Sequence, residues 1–228
     1  MTKKVAICIP SGDMVHADFA IALAAMAYQC SPIVRGETKF EAIPLALVNA
    51  KGSLIPNNRN KLVAEAKKLG VDYMLFVDTD IVLHPWALRQ LLAHDKDIVG
   101  ATYIQRDEPH RILGRTVAGG LLHEHLLSHQ VDTSSLMEVG ALPGGCLLVK
   151  MSVFDAMAAP YFQTPTRETD GVHWIEGEDY FFCRQACEAG ISIWLDWGVS
   201  LHTAHVGQRH NRIPAVQVEP EASDAIVH

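Results

Sequence analysis

Tyr73-Met74-Leu75-Phe76-Val77-Asp78-Thr79-Asp80 decides the fold: an apolar run with the composition of a buried strand ends abruptly in two carboxylates. An extended backbone would turn Asp78 and Asp80 to the same side. Two charges that close, at the end of a buried strand, are costly unless something positive lies between them, most simply a divalent cation. Spacing alone is weak, because 14 Asp in 228 residues give about one Asp-x-Asp by chance. The chain carries its own control. Asp95-Lys96-Asp97 has the same spacing but follows the polar His94 and encloses a lysine, so it reads as a solvated turn.

Working outward, Val5 to Ile9 reads as a buried strand closed by Pro10-Ser11-Gly12, and Ala17 to Tyr28 as a helix rich in alanine and leucine. Pro44 to Val48 predicts a second strand, followed by a helix that begins near Asn57 or Asn58 and ends at Gly70. After the strand before Asp78, Pro85 opens a short helix and Ile98 to Ala101 gives another strand. Gln105 to Ser135, with four histidines, predicts loops and short strands. Gly145 to Val149 restores a strand, followed by Ser152 as an N-cap with Asp155 in a variant capping box. Thr164 to Val172 reads as a loop, Glu176-Gly177-Glu178-Asp179 opens a helix to Ala189, and Ile191 to Leu195 is a last strand. Alternation of strand and helix predicts an α/β fold with a mixed sheet flanked by helices, one domain over residues 1–212 and an aperiodic tail over 213–228.

Composition narrows the partners. With 49% hydrophobic and 20% charged residues, the chain has the make-up of a globular domain with a sizeable core. A formal net charge of −7 argues against nucleic acid or an anionic membrane as the main partner. No apolar stretch approaches a membrane span, and the apolar run before Pro10 is too short for a signal peptide, so a cytoplasmic protein is expected. Cys8, Cys30, Cys146, Cys183 and Cys187 are odd in number and scattered, which indicates neither a disulfide framework nor a zinc ribbon. Cys183 and Cys187, four apart on one helix, read as packing residues.

In an open α/β sheet, ligands bind beyond the carboxyl ends of the strands, where Asp78 and Asp80 lie. Pro10, Ser11 and Gly12 either border that crevice or form a plain turn. Asn58-Arg59-Asn60 is either an anion site at a helix start or a capped helix with a surface arginine. Glu176, Glu178 and Asp179 put three acids in four residues ahead of Tyr180-Phe181-Phe182. That is more negative charge than a helix start requires, and a carboxylate in an apolar wall suits a general base. His202 and His205 follow the last strand; an imidazole there could complete a metal site for manganese, iron or zinc, and His205 is preferred.

The order of these pieces resembles the metal-dependent glycosyltransferases of the GT-A fold, in the broad family-2-like group. The resemblance rests on Asp78-Thr79-Asp80 after an apolar strand, on Pro143-Gly144-Gly145 leading another, on Gly177-Glu178-Asp179-Tyr180-Phe181-Phe182-Cys183 opening a helix, and on Asp196 followed by His205-Val206-Gly207. It spans about Val5 to Gly207. It implies a Rossmann-like nucleotide-diphospho-sugar transferase domain that moves a sugar from a nucleotide-diphosphate sugar to a hydroxyl of a glycan, lipid-linked or small-molecule acceptor. Asp80 would ligate a divalent metal, manganese or else magnesium. Asp78 and Thr79 would lie by the metal or ribose, and His205 would complete the metal shell. Asp179, with Glu178 as the alternative, would take the acceptor's proton in an inverting displacement. Pro10, Ser11, Gly12 and Arg59 would lie by the nucleotide, and Gly144 and Gly145 would let donor or acceptor approach the backbone. Two other readings compete: a nucleotidyltransferase of similar sheet, disfavoured because Ser11-Gly12-Asp13-Met14 carries no Lys or Arg, and a non-catalytic sugar-nucleotide-binding domain.

Overall fold

A computed structural model describes residues 3–129, 132, 134, 136–207 and 210–211. The tail expected over 213–228 lies outside the described residues. From the amino end the elements are β1 (Val5–Ser11), α1 (Ala17–Gln29), a hairpin of β2 (Ile33–Arg35) and β3 (Thr38–Phe40), β4 (Leu45–Lys51), α2 (Ile55–Leu69), β5 (Tyr73–Val77), β6 (Ile81–Val82), α3 (Ala87–Ala93) and β7 (Ile98–Gly100). There follow α4 (Leu122–Ser128), β8 (Leu136–Val139), β9 (Cys146–Lys150), α5 (Val153–Ala156), β10 (Thr166–Thr169), β11 (Val172–Ile175), α6 (Glu178–Glu188), β12 (Ile193–Asp196), α7 (Trp197–His202), β13 (Ala204–Val206) and β14 (His210–Asn211).

Seven strands form one mixed sheet in the order β4-β1-β5-β9-β7-β12-β8. β1 pairs parallel with β4 and β5, and β7 with β12; β9 runs antiparallel to both its neighbours, and β8 antiparallel to β12. The carboxyl ends of β1, β4, β5, β7 and β12 therefore face one edge of the sheet. The start of β9 arrives at the same edge.

Central strands of such a sheet are covered on both faces, which is why they read as unbroken apolar runs. Alternate residues of β5 divide between two cores: Met74 and Phe76 pack with Leu62, Val63 and Ala66 of α2 and Phe182 and Ala186 of α6, while Tyr73, Leu75 and Val77 pack with Phe19 of α1, Leu88 and Leu91 of α3 and Val199 of α7. Burying a side chain of the size of Leu75 or Phe76 contributes about 1.5–3 kcal/mol relative to leaving it exposed. Cys8, Cys30, Cys146 and Cys183 are buried and Cys187 is exposed, all five as free thiols.

Several predicted boundaries move. β1 continues through Pro10 and Ser11, because β4 pairs with it up to Ser11↔Lys51 although β5 stops at Cys8↔Phe76. α2 starts at Ile55, before Asn57, with Pro56 in its first turn, where a missing N–H costs nothing. Ser152 caps nothing with its side chain, and Asp155 instead meets Lys67 Nζ at 3.0 Å. The histidine-rich stretch holds a helix, α4. The expected loop at Thr164 to Val172 is a hairpin, β10–β11, turned at Asp170 (φ 53°) and Gly171 (φ 76°), the Asp-Gly pair that suits a type I′ turn.

Candidate active site

At the carboxyl edge, Asp78-Thr79-Asp80 does not stay extended. Ile81 N–H donates to the Asp78 carbonyl at 3.1 Å, closing a tight turn whose two carboxylates engage different partners. Asp78 accepts from Arg59 Nη2 at 2.8 and 3.1 Å, one bond to each oxygen. Arg59 is 2% exposed. Its Nε also donates to Glu178 Oε1 at 3.2 Å and its Nη1 to the Gly144 carbonyl at 3.0 Å. The arginine expected beside a nucleotide is thus a buried hub joining α2, the β5 turn, the start of β9 and α6. Asp78, expected near metal or ribose, is occupied by it. Burial pushes the Asp78 carboxyl above its ordinary value, against the pull of Arg59, and the charges of Asp80 and Glu178 add to the rise.

Asp80 points elsewhere. β6, which begins immediately after it, pairs with β13 in the register His205↔Ile81, and Val206 N–H donates to the Asp80 carbonyl at 2.7 Å. That ladder sets His205 Nε2 3.3 Å from Asp80 Oδ2, while its Nδ1 lies 2.9 Å from the Ile104 carbonyl and its ring packs edge-on against Tyr103. With Nδ1–H given to a carbonyl, Nε2 is the atom left to ligate, the usual way a metal-binding imidazole is oriented. Burial pushes the Asp80 carboxyl up, but His205 and Arg106 outweigh it and hold it below its ordinary value. Burial likewise pushes the imidazole down, and Asp80 and the Ile104 carbonyl outweigh that, so His205 holds its proton more tightly than usual. His202, exposed at the end of α7, has its ring tilted against that of His84.

Asp80 and His205 fit a divalent cation as two of its ligands: atoms about 2.1 Å from one ion at right angles lie about 3.0 Å apart, close to the observed 3.3 Å. Among the described residues no three His, Cys, Asp or Glu side chains gather round one point. The pair could therefore hold only an ion that takes its other ligands from outside the protein, and its mixed N/O donor set is compatible with manganese.

Asp179 stands in the first turn of α6, and both its oxygens accept backbone hydrogen bonds: Oδ2 from Gly144 at 3.1 Å and Oδ1 from Tyr180 at 2.8 Å. Gly177 permits this fold-back, because a Cβ there would lie 2.9 Å from Asp179 Oδ1. Burial raises the Asp179 carboxyl to about 6, the charge of Glu178 adds to the rise, and Arg59 with the two amides opposes it. Glu178 accepts from Arg59 Nε at 3.2 Å. Glu176 is bound between Arg167 and Arg184 and belongs to the hairpin side of α6.

The remaining predicted residues converge on the same edge with different duties. A Cβ on Gly144 would fall 2.7 Å from Arg59 Nη2, and one on Gly145 would strike the Tyr103 hydroxyl, so it is the protein's own side chains that approach this backbone. Gly145 N–H donates to that hydroxyl at 3.1 Å. Ser11 is buried, its hydroxyl donating to the Gly12 carbonyl and accepting from Asn49 Nδ2 at 2.8 Å. Pro10 is buried in β1 and Gly12 is exposed beyond it. The Thr79 carbonyl accepts from His16 N–H at 3.3 Å, tying the loop after β1 to the acidic turn. Asp196, expected on the path to His205, caps α7 by accepting from Val199 N–H at 2.9 Å and lies 2.6 Å from His94 Nε2. Two contributors escape a sequence reading. Arg106 Nη1 lies 3.5 Å from Asp80 Oδ2, and Tyr103 links His205 to Gly145; both sit in the aperiodic segment after β7, where only the topology shows proximity.

No protein-family model matches the chain, and no curated protein matches it in sequence. Among solved structures it is similar to "Crystal Structure of A197 from STIV", with a TM-score of 0.56 and 12% identity over 90% of this chain and 86% of that chain. At that identity the likeness shows a shared fold, a mixed α/β sheet flanked by helices. Among the described residues no helix is long and apolar enough to cross a membrane.

Proposed function

We propose that the protein is a divalent-metal-dependent glycosyltransferase that moves a sugar from a nucleotide-diphosphate sugar to an acceptor hydroxyl with inversion. One observation carries the reading: a single sheet edge joins a carboxylate–imidazole pair, Asp80 and His205, to a separate carboxyl, Asp179, whose proton affinity is set near neutrality. Asp80 and His205 would hold manganese or magnesium, which when bound supplies positive charge for a leaving diphosphate. Asp179, raised to about 6, takes the proton from the acceptor hydroxyl. Arg59 holds Asp78 and Glu178 in place around it, and the Gly144 amide fixes the carboxyl's direction.

A panel of nucleotide sugars, screened by thermal shift with and without manganese, tests this directly, since a ligand of the native state raises its apparent stability. The reading expects at least one metal-dependent stabiliser, and that donor to release nucleoside diphosphate in the presence of an acceptor. Release of pyrophosphate would point to a nucleotidyltransferase instead, and binding without turnover to a sugar-nucleotide-binding domain.

A further inference from the structure

The hairpin β10–β11 leaves Val172, Trp174 and Ile175 exposed. A two-stranded hairpin gains little stability by itself, and of these three side chains Trp174 lines a cleft. On the flank toward α6 the hairpin bounds a cleft of about 260 Å³, lined by Trp174, Tyr180, Arg184, Glu176, Arg115 and Thr116.

The chemistry of the cleft selects among ligands. Trp174 is 43% exposed, and its ring edge is anchored by Nε1–H donating to Thr169 Oγ1 at 3.3 Å. Glu176 lies 2.8 Å from Arg167 and 3.0 Å from Arg184, which also reaches Glu188 at 2.7 Å. Arg115 donates to the Gly119 carbonyl and lies over the Tyr180 ring, and the Tyr180 hydroxyl accepts from Gly114 N–H at 2.8 Å. Glu176 and Arg184 offer hydrogen bonds as an ion pair, Arg115 adds a guanidinium over the Tyr180 ring, and the aromatic face beside them suits the C–H face of a sugar ring. Two of the lining residues flank the proposed base along the chain, Tyr180 directly after Asp179 and Glu176 three positions before it.

We infer that this cleft is an acceptor subsite, taking a saccharide unit stacked on Trp174 while the next unit presents its hydroxyl to Asp179. The inference rests on the proposed transferase reading, and two separate measurements keep them apart. The first is saturation-transfer NMR with cellotetraose, maltotetraose and chitotetraose on the wild type, Trp174→Ala and Trp174→Phe proteins. At least one tetraose should bind the wild type, lose about tenfold or more in affinity with Trp174→Ala, and recover in part with Trp174→Phe. No binding to the wild type, or equal binding to wild type and a folded Trp174→Ala, overturns the subsite. The second measurement is metal-dependent donor hydrolysis by the wild type without acceptor. Tetraose binding at Trp174 with no donor turnover would retain the saccharide cleft and remove the transferase reading.

Discussion

The Asp179 carboxylate accepts a 3.1 Å hydrogen bond from the Gly144 amide, so the first turn of α6 is fastened to the start of β9 through the group proposed as base. Its direction is set by backbone, and its proton affinity by burial and by Glu178.

Asp179→Asn should therefore keep donor and metal affinity nearly intact while lowering transfer by about two to four orders of magnitude. Donor titration and single-turnover transfer on the same variant check this; near wild-type transfer would move the role to Glu178 or remove it. The wild-type rate should rise with pH through about 6, because the base acts only once deprotonated, and level off above.

Asp80→Ala should abolish manganese-dependent binding of a nucleoside diphosphate. Asp95→Ala should leave it unchanged, since Asp95 bonds Lys3 and the hydroxyl of Tyr73, at the opposite end of β5 from the acidic turn. Calorimetry on both variants decides, and equal losses would count against the assignment.

His205→Ala should weaken manganese binding more than His202→Ala, because His205 stands beside Asp80 and His202 beside His84. A metal must displace the proton that Asp80 helps His205 to keep, so affinity should fall as pH drops, from a higher pH than an ordinary histidine would give. Metal titrations at a series of pH values read both effects. A stronger loss in His202→Ala would overturn the placement.

Arg59→Met should destabilise the fold by about 3–5 kcal/mol, since it leaves Asp78 and Glu178 without the buried charge that compensates them. Arg59→Lys should recover little, because a single ammonium cannot meet Asp78, Glu178 and the Gly144 carbonyl in the same fork. Urea unfolding checks both, and a loss confined to nucleotide affinity would restore the arginine to the nucleotide.

The sheet and its edge are legible in the residues because an apolar strand core and an α/β alternation are local patterns: Tyr73 to Val77, Ala17 to Gln29 and Glu178 to Glu188 fall close to the predicted limits. The positions of Asp80 and Asp179 are legible for the same reason, each standing at the end of a readable element; that of His205 is not, since it lies inside β13, beyond α7, two elements that the residue pattern does not announce. The part played by Arg59 is not, because it depends on burial, which Asn58-Arg59-Asn60 does not display. The roles of Gly144 and Gly145 depend on Arg59 and Tyr103, distant in sequence, arriving against them. The hairpin at Asp170-Gly171 does carry a local signal, the Asp-Gly pair, between strands of only four residues each.

The two-residue ladder of β6 with β13 has a consequence for assembly. It brings together groups 125 positions apart, and the seven-stranded sheet is complete without it. With β5 and β12 already held in the sheet, only the stretch from Asp196 to His205 remains to be closed, and two residue pairs hold it there. The carboxylate–imidazole pair should accordingly form last and open first. A cation gripped by both ends would act as a clasp on the last-arriving segment, slowing hydrogen exchange at the Val206 amide, which donates to Asp80, more than at amides of β5.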